Sequence, residues 1–166
     1  MPSGEEMLIS EFYEARVRDL MDIRVWDLPI IEKDAAIPLV LSILDGKTHV
    51  WVVESLKTKE LVGVITRHDI LQILAPPRTY YGVFSLPKLY HHGIEGRAED
   101  IMTKHPITCQ PDDTVADALK KMIRHNIRRL AVVTDRTIEG ELTLRNLISK
   151  FYKATQYYPL NEETPR

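Results

Sequence analysis

The stretch Gly63-Val64-Ile65-Thr66-Arg67-His68-Asp69 carries the residues best suited to chemistry. An apolar strand runs there straight into a helix, with Thr and Asp three positions apart at the junction. Thr-x-x-Asp at a helix start is a capping pattern, in which the two side chains satisfy backbone N–H groups of the first turn. A helix N-terminus also carries free donors and a partial positive charge. A carboxylate in that first turn, facing a cleft, can accept both hydroxyls of a ribose. The two readings are compatible, because Thr66 can cap while Asp69 faces a sugar.

Arg128-Arg129 is the second candidate, at the entry to the strand Leu130-Ala131-Val132-Val133. Adjacent strand residues point to opposite faces, so at least one guanidinium should lie toward a cleft. The planar fork of arginine donates in pairs and suits phosphate. A pair of solvated edge arginines is the plainer alternative. Cys109 sits on an apolar strand and reads as a small core residue. His91-His92 stands without a Cys or second His pair at ligand spacing, which argues against a metal site. No Gly-rich phosphate loop, G-x-S-x-G elbow or H-E-x-x-H occurs, so the sequence points away from an enzyme.

The elements that position these residues come in two copies. Asp19-Leu20-Met21 returns as Asp100-Ile101-Met102, Val52-Val53 as Val132-Val133, and Gly63-Val64-Ile65-Thr66 as Gly140-Glu141-Leu142-Thr143, at offsets of 81, 80 and 77 residues. A unit this short rarely buries enough surface alone, so the copies should pack on each other. The seam between them is a natural ligand site. The first repeat runs over 17–74 and the second over 98–151, each in the order strand, helix, strand, strand, helix. A lead-in helix is expected over 6–16. Residues 75–97 read as an ordered connector, in which Tyr80, Tyr81, Phe84 and Tyr90 pack down. In the repeats, Ile37, Val40, Leu41 and Leu44 share one helix face, Ile70, Leu71 and Leu74 a second, and Leu147, Ile148 and Phe151 a third. Val115, Ala118, Leu119, Met122 and Ile123 follow the helical period on a fourth. The tail from Tyr157 reads as frayed.

Composition sets the frame. The chain has 166 residues, 44% of them hydrophobic, and a net charge of −2. No overall basic field invites nucleic acid or an anionic membrane. The cluster Lys120, Lys121, Arg124, Arg128 and Arg129 reads largely as one helix's solvated face. The most apolar run, Ala35 to Leu44, is far short of the roughly 20 residues that span a bilayer. The N-terminus lacks the pattern of a signal peptide. A single cysteine fits a reducing, cytoplasmic setting.

In this order and twice over, these motifs resemble a tandem pair of CBS domains, the regulatory adenosine-nucleotide-binding unit also called a Bateman module. The carriers are Asp19-Leu20-Met21, Asp100-Ile101-Met102, Pro111-Asp112-Asp113-Thr114-Val115, Leu130-Ala131-Val132-Val133 and Gly63-x-x-Thr66-x-x-Asp69. The resemblance implies an α/β fold of two pseudo-symmetric repeats, each a small three-stranded sheet with two helices, packed sheet to sheet and standing alone. It implies that Thr66 and Asp69 hold a ribose, with Val64 on the strand leading into them. Ile107 and Thr108 would border the adenine, and Arg128, Arg129 and Arg145 would meet phosphate. The expected ligand is AMP, ADP or ATP, with S-adenosylmethionine less favoured. A second, pseudo-symmetric site departs from the pattern: Asn146 replaces the Asp beside Thr143, and Thr48-His49 replaces the arginine pair. It is expected to be weak or vacant. The resemblance further implies a homodimer through the helices after Thr66 and Thr143, and a separate regulated protein. The alternative is a protein–protein adaptor whose cleft is vestigial, working through the lead-in helix and the Tyr-rich connector.

Overall fold

The computed structural model describes residues 4–24, 27–74 and 95–156. Most of the expected connector (with Tyr80, Tyr81, Phe84 and Tyr90), His91-His92 and the tail from Tyr157 lie outside the described residues. The chain gathers into two compact units, each drawn from separate stretches. The first holds Arg24–Pro106 and Asp135–Ile138, the second Met1–Ile23, Ile107–Thr134 and Glu139–Arg166.

In the first unit, β1 (Ile30–Glu32) runs parallel to β2 (His49–Val53), with Ile31 opposite Val52. Such a pair needs a crossover, supplied by α3 (Ile37–Gly46). That helix starts without a side-chain cap but carries Pro38 in its first turn, where a missing N–H costs nothing. All five residues of β2 are buried, as expected of an apolar, β-branched central strand. β3 (Leu61–Thr66) returns antiparallel, and α4 (Arg67–Leu74) follows it without a break. Ile31, Ile37, Val40, Leu44, Val50, Val52, Ile65, Ile70 and Ile73 form the core.

In the second unit, β5 (Thr108–Cys109) is parallel to β6 (Arg129–Thr134), and α6 (Val115–His125) crosses between them. Thr114 caps α6 by accepting the Asp117 N–H at 3.1 Å. Asn126 ends the helix in the left-handed conformation, with Arg124 and His125 in the last turn complementing the helix dipole. β7 (Thr137–Thr143), of which Glu139 onward belongs to this unit, neighbours β6 after the two-residue turn Asp135-Arg136 and runs into α7 (Leu144–Gln156). Both turn residues have positive φ, 48° and 69°, the backbone that suits the twist of a tight hairpin. α1 (Gly4–Glu14) adds Phe12 to a core of Cys109, Val115, Ala118, Met122, Leu130, Val132, Leu142 and Leu147.

The two Asp-apolar-Met openings are exchanged relative to sequence order. α2 (Val17–Leu20) opens the first repeat, yet Val17 is fully buried in the core of the second unit. α5 (Ala98–Ile101) opens the second repeat, yet Ala98 and Ile101 complete the core of the first. Each opening then covers a strand that would otherwise be a bare sheet edge. β4 (Thr103–Lys104) pairs antiparallel with β3, Gly63 opposite Lys104, making this sheet four-stranded where three strands were expected. Asp22 bridges Glu141 of β7, through N–H···O contacts of 2.9 and 3.3 Å. Both approaches need glycine. A Cβ on Gly63 would stand 2.3 Å from Met102 Sδ, and one on Gly140 would stand 2.5 Å from the Asp22 carbonyl oxygen.

Helical periodicity groups apolar residues on shared faces, and the structure leaves several of them open. Leu71 and Leu74 of α4 are 60% and 69% exposed, while Ile73, outside the expected face, is buried. Ile123 and Ile148 are 79% and 60% exposed, and Leu41 and Phe151 are also exposed. The period names the residues on one side of a helix. Which side finds a partner depends on where the helix lies.

Candidate functional site

Each strand-to-helix junction builds a compact polar cap. In the first unit the Thr66 N–H donates to Asp69 Oδ2 at 2.7 Å, and the Thr66 hydroxyl donates to the same oxygen at 3.1 Å. Strand residues ending at Thr66 bring Val64 into line behind the cap, half-buried and opposite Thr103. Half of the expected cap is present: the Asp69 carboxylate accepts the Thr66 N–H, while the Thr66 hydroxyl donates to that carboxylate. The Asp side chain satisfies a backbone donor, and it does so with one oxygen, leaving Oδ1 without a hydrogen bond among the described residues.

The second unit carries the other expected residues. Thr108 stands on β5 opposite Ala131, with Ile107 half-buried just before it. Arg128 precedes β6 and is exposed, whereas Arg129, its first residue, is half-buried. Burial pulls the Arg129 guanidinium below its ordinary pKa, and the Glu141 carboxylate opposes that pull. The Arg128 carbonyl accepts the Leu144 N–H at 2.8 Å, tying the arginine pair's backbone to the first turn of α7, where Arg145 is exposed. Here the Thr143 N–H and hydroxyl both donate to Asn146 Oδ1 at 2.8 Å, and the Asn146 N–H donates back to the Thr143 hydroxyl at 3.2 Å. That reciprocal pair is a complete capping box. Arg128, Arg129 and Arg145 thus belong to one unit, Val64, Thr66 and Asp69 to the other.

Thr48-His49 occupies the position in the first unit that the arginine pair holds in the second. The Thr48 carbonyl accepts the Arg67 N–H at 3.4 Å, as Arg128 accepts that of Leu144. His49 is buried, 3.1 Å from the Thr48 hydroxyl through Nδ1 and edge-on to Trp51.

One residue of the site region was misjudged from sequence. Lys121, grouped there with a solvated basic face, donates to the Thr108 carbonyl at 3.0 Å and to Asp113 Oδ2 at 3.1 Å. It clamps the strand expected to border adenine onto α6 and the Pro111-Asp112-Asp113 turn. Burial pushes the Asp113 carboxyl up, but the Gln110 N–H and Lys121 together hold it below its usual value. The only prior signal was an acidic residue 8 positions ahead of a lysine on the inward side of a helix. Cys109 is a core residue, as read from sequence: it is 1% exposed, and burial pushes its thiol up to about 12. Among the described residues no group of three or more His, Cys, Asp or Glu could hold a metal ion. None of the described helices is long and apolar enough to cross a membrane.

A repeated α/β unit with a strand-to-helix cap in each copy is the pattern of the CBS domain, and that family matches residues 17–76 and 98–153. The chain belongs to the CBS domain family, as a tandem pair. It is 27% identical over 153 residues to uncharacterized protein MJ1426 of Methanocaldococcus jannaschii, across 84% of this chain and 86% of that protein. It is 29% identical over 150 residues to a homoserine O-acetyltransferase of Methanosphaera stadtmanae, across 88% of this chain but 26% of the enzyme. The chain therefore spans about a quarter of that second relative's length. Among solved structures it shares the fold of CBSX2 in complex with AMP, with a TM-score of 0.69 and 24% identity over 84% of this chain and 98% of that one. The CBS domain of a bacterial CNNM/CorC family Mg2+ transporter in complex with ATP gives a TM-score of 0.64 at 25% identity, covering 91% and 98%.

Proposed function

We propose that this CBS pair is a regulatory adenine-nucleotide sensor without catalytic activity of its own. The observation that carries the proposal is the Asp69 carboxylate, fixed through one oxygen by Thr66 and open at the other. An anchored carboxylate loses little freedom when it accepts a ribose diol, and it sits where the dipole of α4 favours negative charge. Arg128, Arg129 and Arg145 supply the cations for phosphate, Ile107 and Thr108 border the base, and Val64 lies on the strand leading into Thr66 and Asp69. Similar structures holding AMP and ATP support the ligand class.

In this reading one nucleotide bridges the two repeats, 17–74 and 98–151, and biases their arrangement through its differential affinity for the alternatives. A separate protein reads the change. The exposed apolar residues Leu71 and Leu74 on α4 and Ile148 on α7 supply a homodimer face. The test is thermal denaturation with AMP, ADP, ATP, S-adenosylmethionine and GTP. A bound nucleotide at about 100 times its dissociation constant adds roughly 2.7 kcal/mol. Melting curves unmoved by all five ligands would end the proposal. The adaptor reading retains one observation in its favour: α1 and α7 line an open apolar groove with Phe12, Tyr13, Ile148, Phe151 and Tyr152.

A further inference from the structure

The two repeats build the turn between first strand and crossover helix on one plan and fill it differently. Thr108 pairs with Ala131 as Ile30 pairs with Trp51, and the Asp113 N–H donates to the Gln110 carbonyl as the Ala35 N–H does to that of Glu32. Ala35 and Ile43 stand in the first repeat where Asp113 and Lys121 stand in the second, one just before the helix N-cap and the other about two turns into the helix. Ala35 and Ile43 pack against the core of their unit. Asp113 and Lys121 instead form an ion pair at 3.1 Å, with side chains 27% and 38% exposed. Lys121 also donates to the Thr108 carbonyl at 3.0 Å, and the Gln110 N–H donates to the same Asp113 oxygen at 3.0 Å. All four residues lie in one unit.

An apolar pair of similar volume serves a fold as well as a partly buried ion pair, and often better. The first repeat shows that this turn folds with apolar residues, so the polar version has a use beyond folding. What it holds is β5, a two-residue edge strand paired with β6 through Thr108 and Cys109. So short a strand has little ladder to fix it. A bond from an ammonium group is about twice as strong as one between neutral groups, and here the ammonium is itself anchored by Asp113. We infer that Lys121 is a positioning residue for base recognition: with Asp113 it fixes the backbone of Thr108, and so the wall against which the purine is seated. The inference rests on the base-bordering role proposed for Ile107 and Thr108 and adds the side chains that hold them in place.

Titrations of the full chain followed by NMR test it with two probes, AMP and ribose 5-phosphate, the second keeping sugar and phosphate but lacking the base. Lys121→Ile with Asp113→Ala writes the first repeat's apolar pair into the second, a combination that the fold already accommodates at Ile43 and Ala35. This variant should bind AMP roughly fivefold or more weakly, as expected for the loss of a charge-assisted bond. It should bind ribose 5-phosphate within about twofold of wild type and melt cooperatively near the wild-type temperature. Lys121→Met alone, which leaves Asp113 bonded to the Gln110 N–H, should show the same split. A general loss of structure would weaken both probes together. Wild-type AMP affinity in either folded variant, or equal losses for the two probes, would overturn the inference and leave the sensor proposal standing. A wild-type chain that binds no adenine nucleotide would remove both.

Discussion

Asp69 Oδ2 receives two hydrogen bonds from Thr66, one from the backbone N–H at 2.7 Å and one from the hydroxyl at 3.1 Å. The carboxylate is thus held by its own helix before any ligand arrives. Asp69→Ala should weaken adenosine and AMP alike, by roughly ten- to a hundredfold, because bonds to a charged acceptor contribute about 1.5–3 kcal/mol. Arg128→Ala with Arg129→Ala should weaken AMP far more than adenosine, with the AMP loss shrinking at high salt. Calorimetry on both ligands separates the roles, and equal losses in the two experiments would show the assignment to be wrong.

The exchange of openings makes a prediction about stability. Gly63→Ala drives a methyl group into Met102, whose Sδ and Cγ lie 2.3 and 2.8 Å from the new carbon. The expected loss is about 1–3 kcal/mol by denaturant unfolding, typical of overpacking. Because the obstacle is a flexible side chain, Met102→Ala should recover part of that loss in a double-mutant cycle. Gly140→Ala meets the backbone carbonyl of Asp22 at 2.5 Å instead. Met21→Ala should give it no relief.

Cys109 offers a pH test. Burial raises its thiol to about 12 from an ordinary value of 9.0, so the folded chain holds that proton more tightly than the unfolded one. The resulting stability is fully present below the unfolded pKa. Above it, stability should fall by about 1.4 kcal/mol per pH unit until the folded value is reached. Cys109→Ala should remove this component between pH 9 and 12, whatever its effect at pH 7. Near neutrality, an aromatic disulfide reagent should react only on unfolding. Rapid labelling of the folded chain would contradict the burial.

The Thr114 cap should be worth about 1 kcal/mol, with a range of roughly 0.5–2. Thr114→Ala removes the acceptor of the Asp117 N–H, whereas Thr114→Ser keeps it. Urea midpoints for the two variants should differ by that amount at an unchanged slope.

The apolar positions that no core of their own unit covers test the homodimer. Leu71→Lys and Ile148→Lys replace residues that are 60% exposed, so each should leave monomer stability within about 0.5 kcal/mol. If α4 and α7 form the dimer face, sedimentation should show both variants shifted toward monomer. A wild-type chain that sediments as a monomer at all concentrations would remove the proposal.

Local chemistry was readable from the chain alone. A cap linking residues three apart needs only a strand, a helix and the right side chains, so Thr66–Asp69 and Thr143–Asn146 form where their spacing says. The Asp-to-Asn difference between them is likewise a fact of sequence, as are the duplicated order of elements and the burial of Cys109 on an apolar strand. Tertiary structure decided the rest. Nothing in the spacing of Val17 or Ala98 says that each completes the core of the unit holding the other repeat's main strands. Nor could periodicity tell that Ile73 turns inward while Leu71 and Leu74 stay open, or that Lys121 reaches back to Thr108. Short-range hydrogen bonds are set by neighbours along the backbone. Burial and edge pairing are settled between segments some 80 residues apart, whose competition for the same apolar faces ends only when the chain has folded.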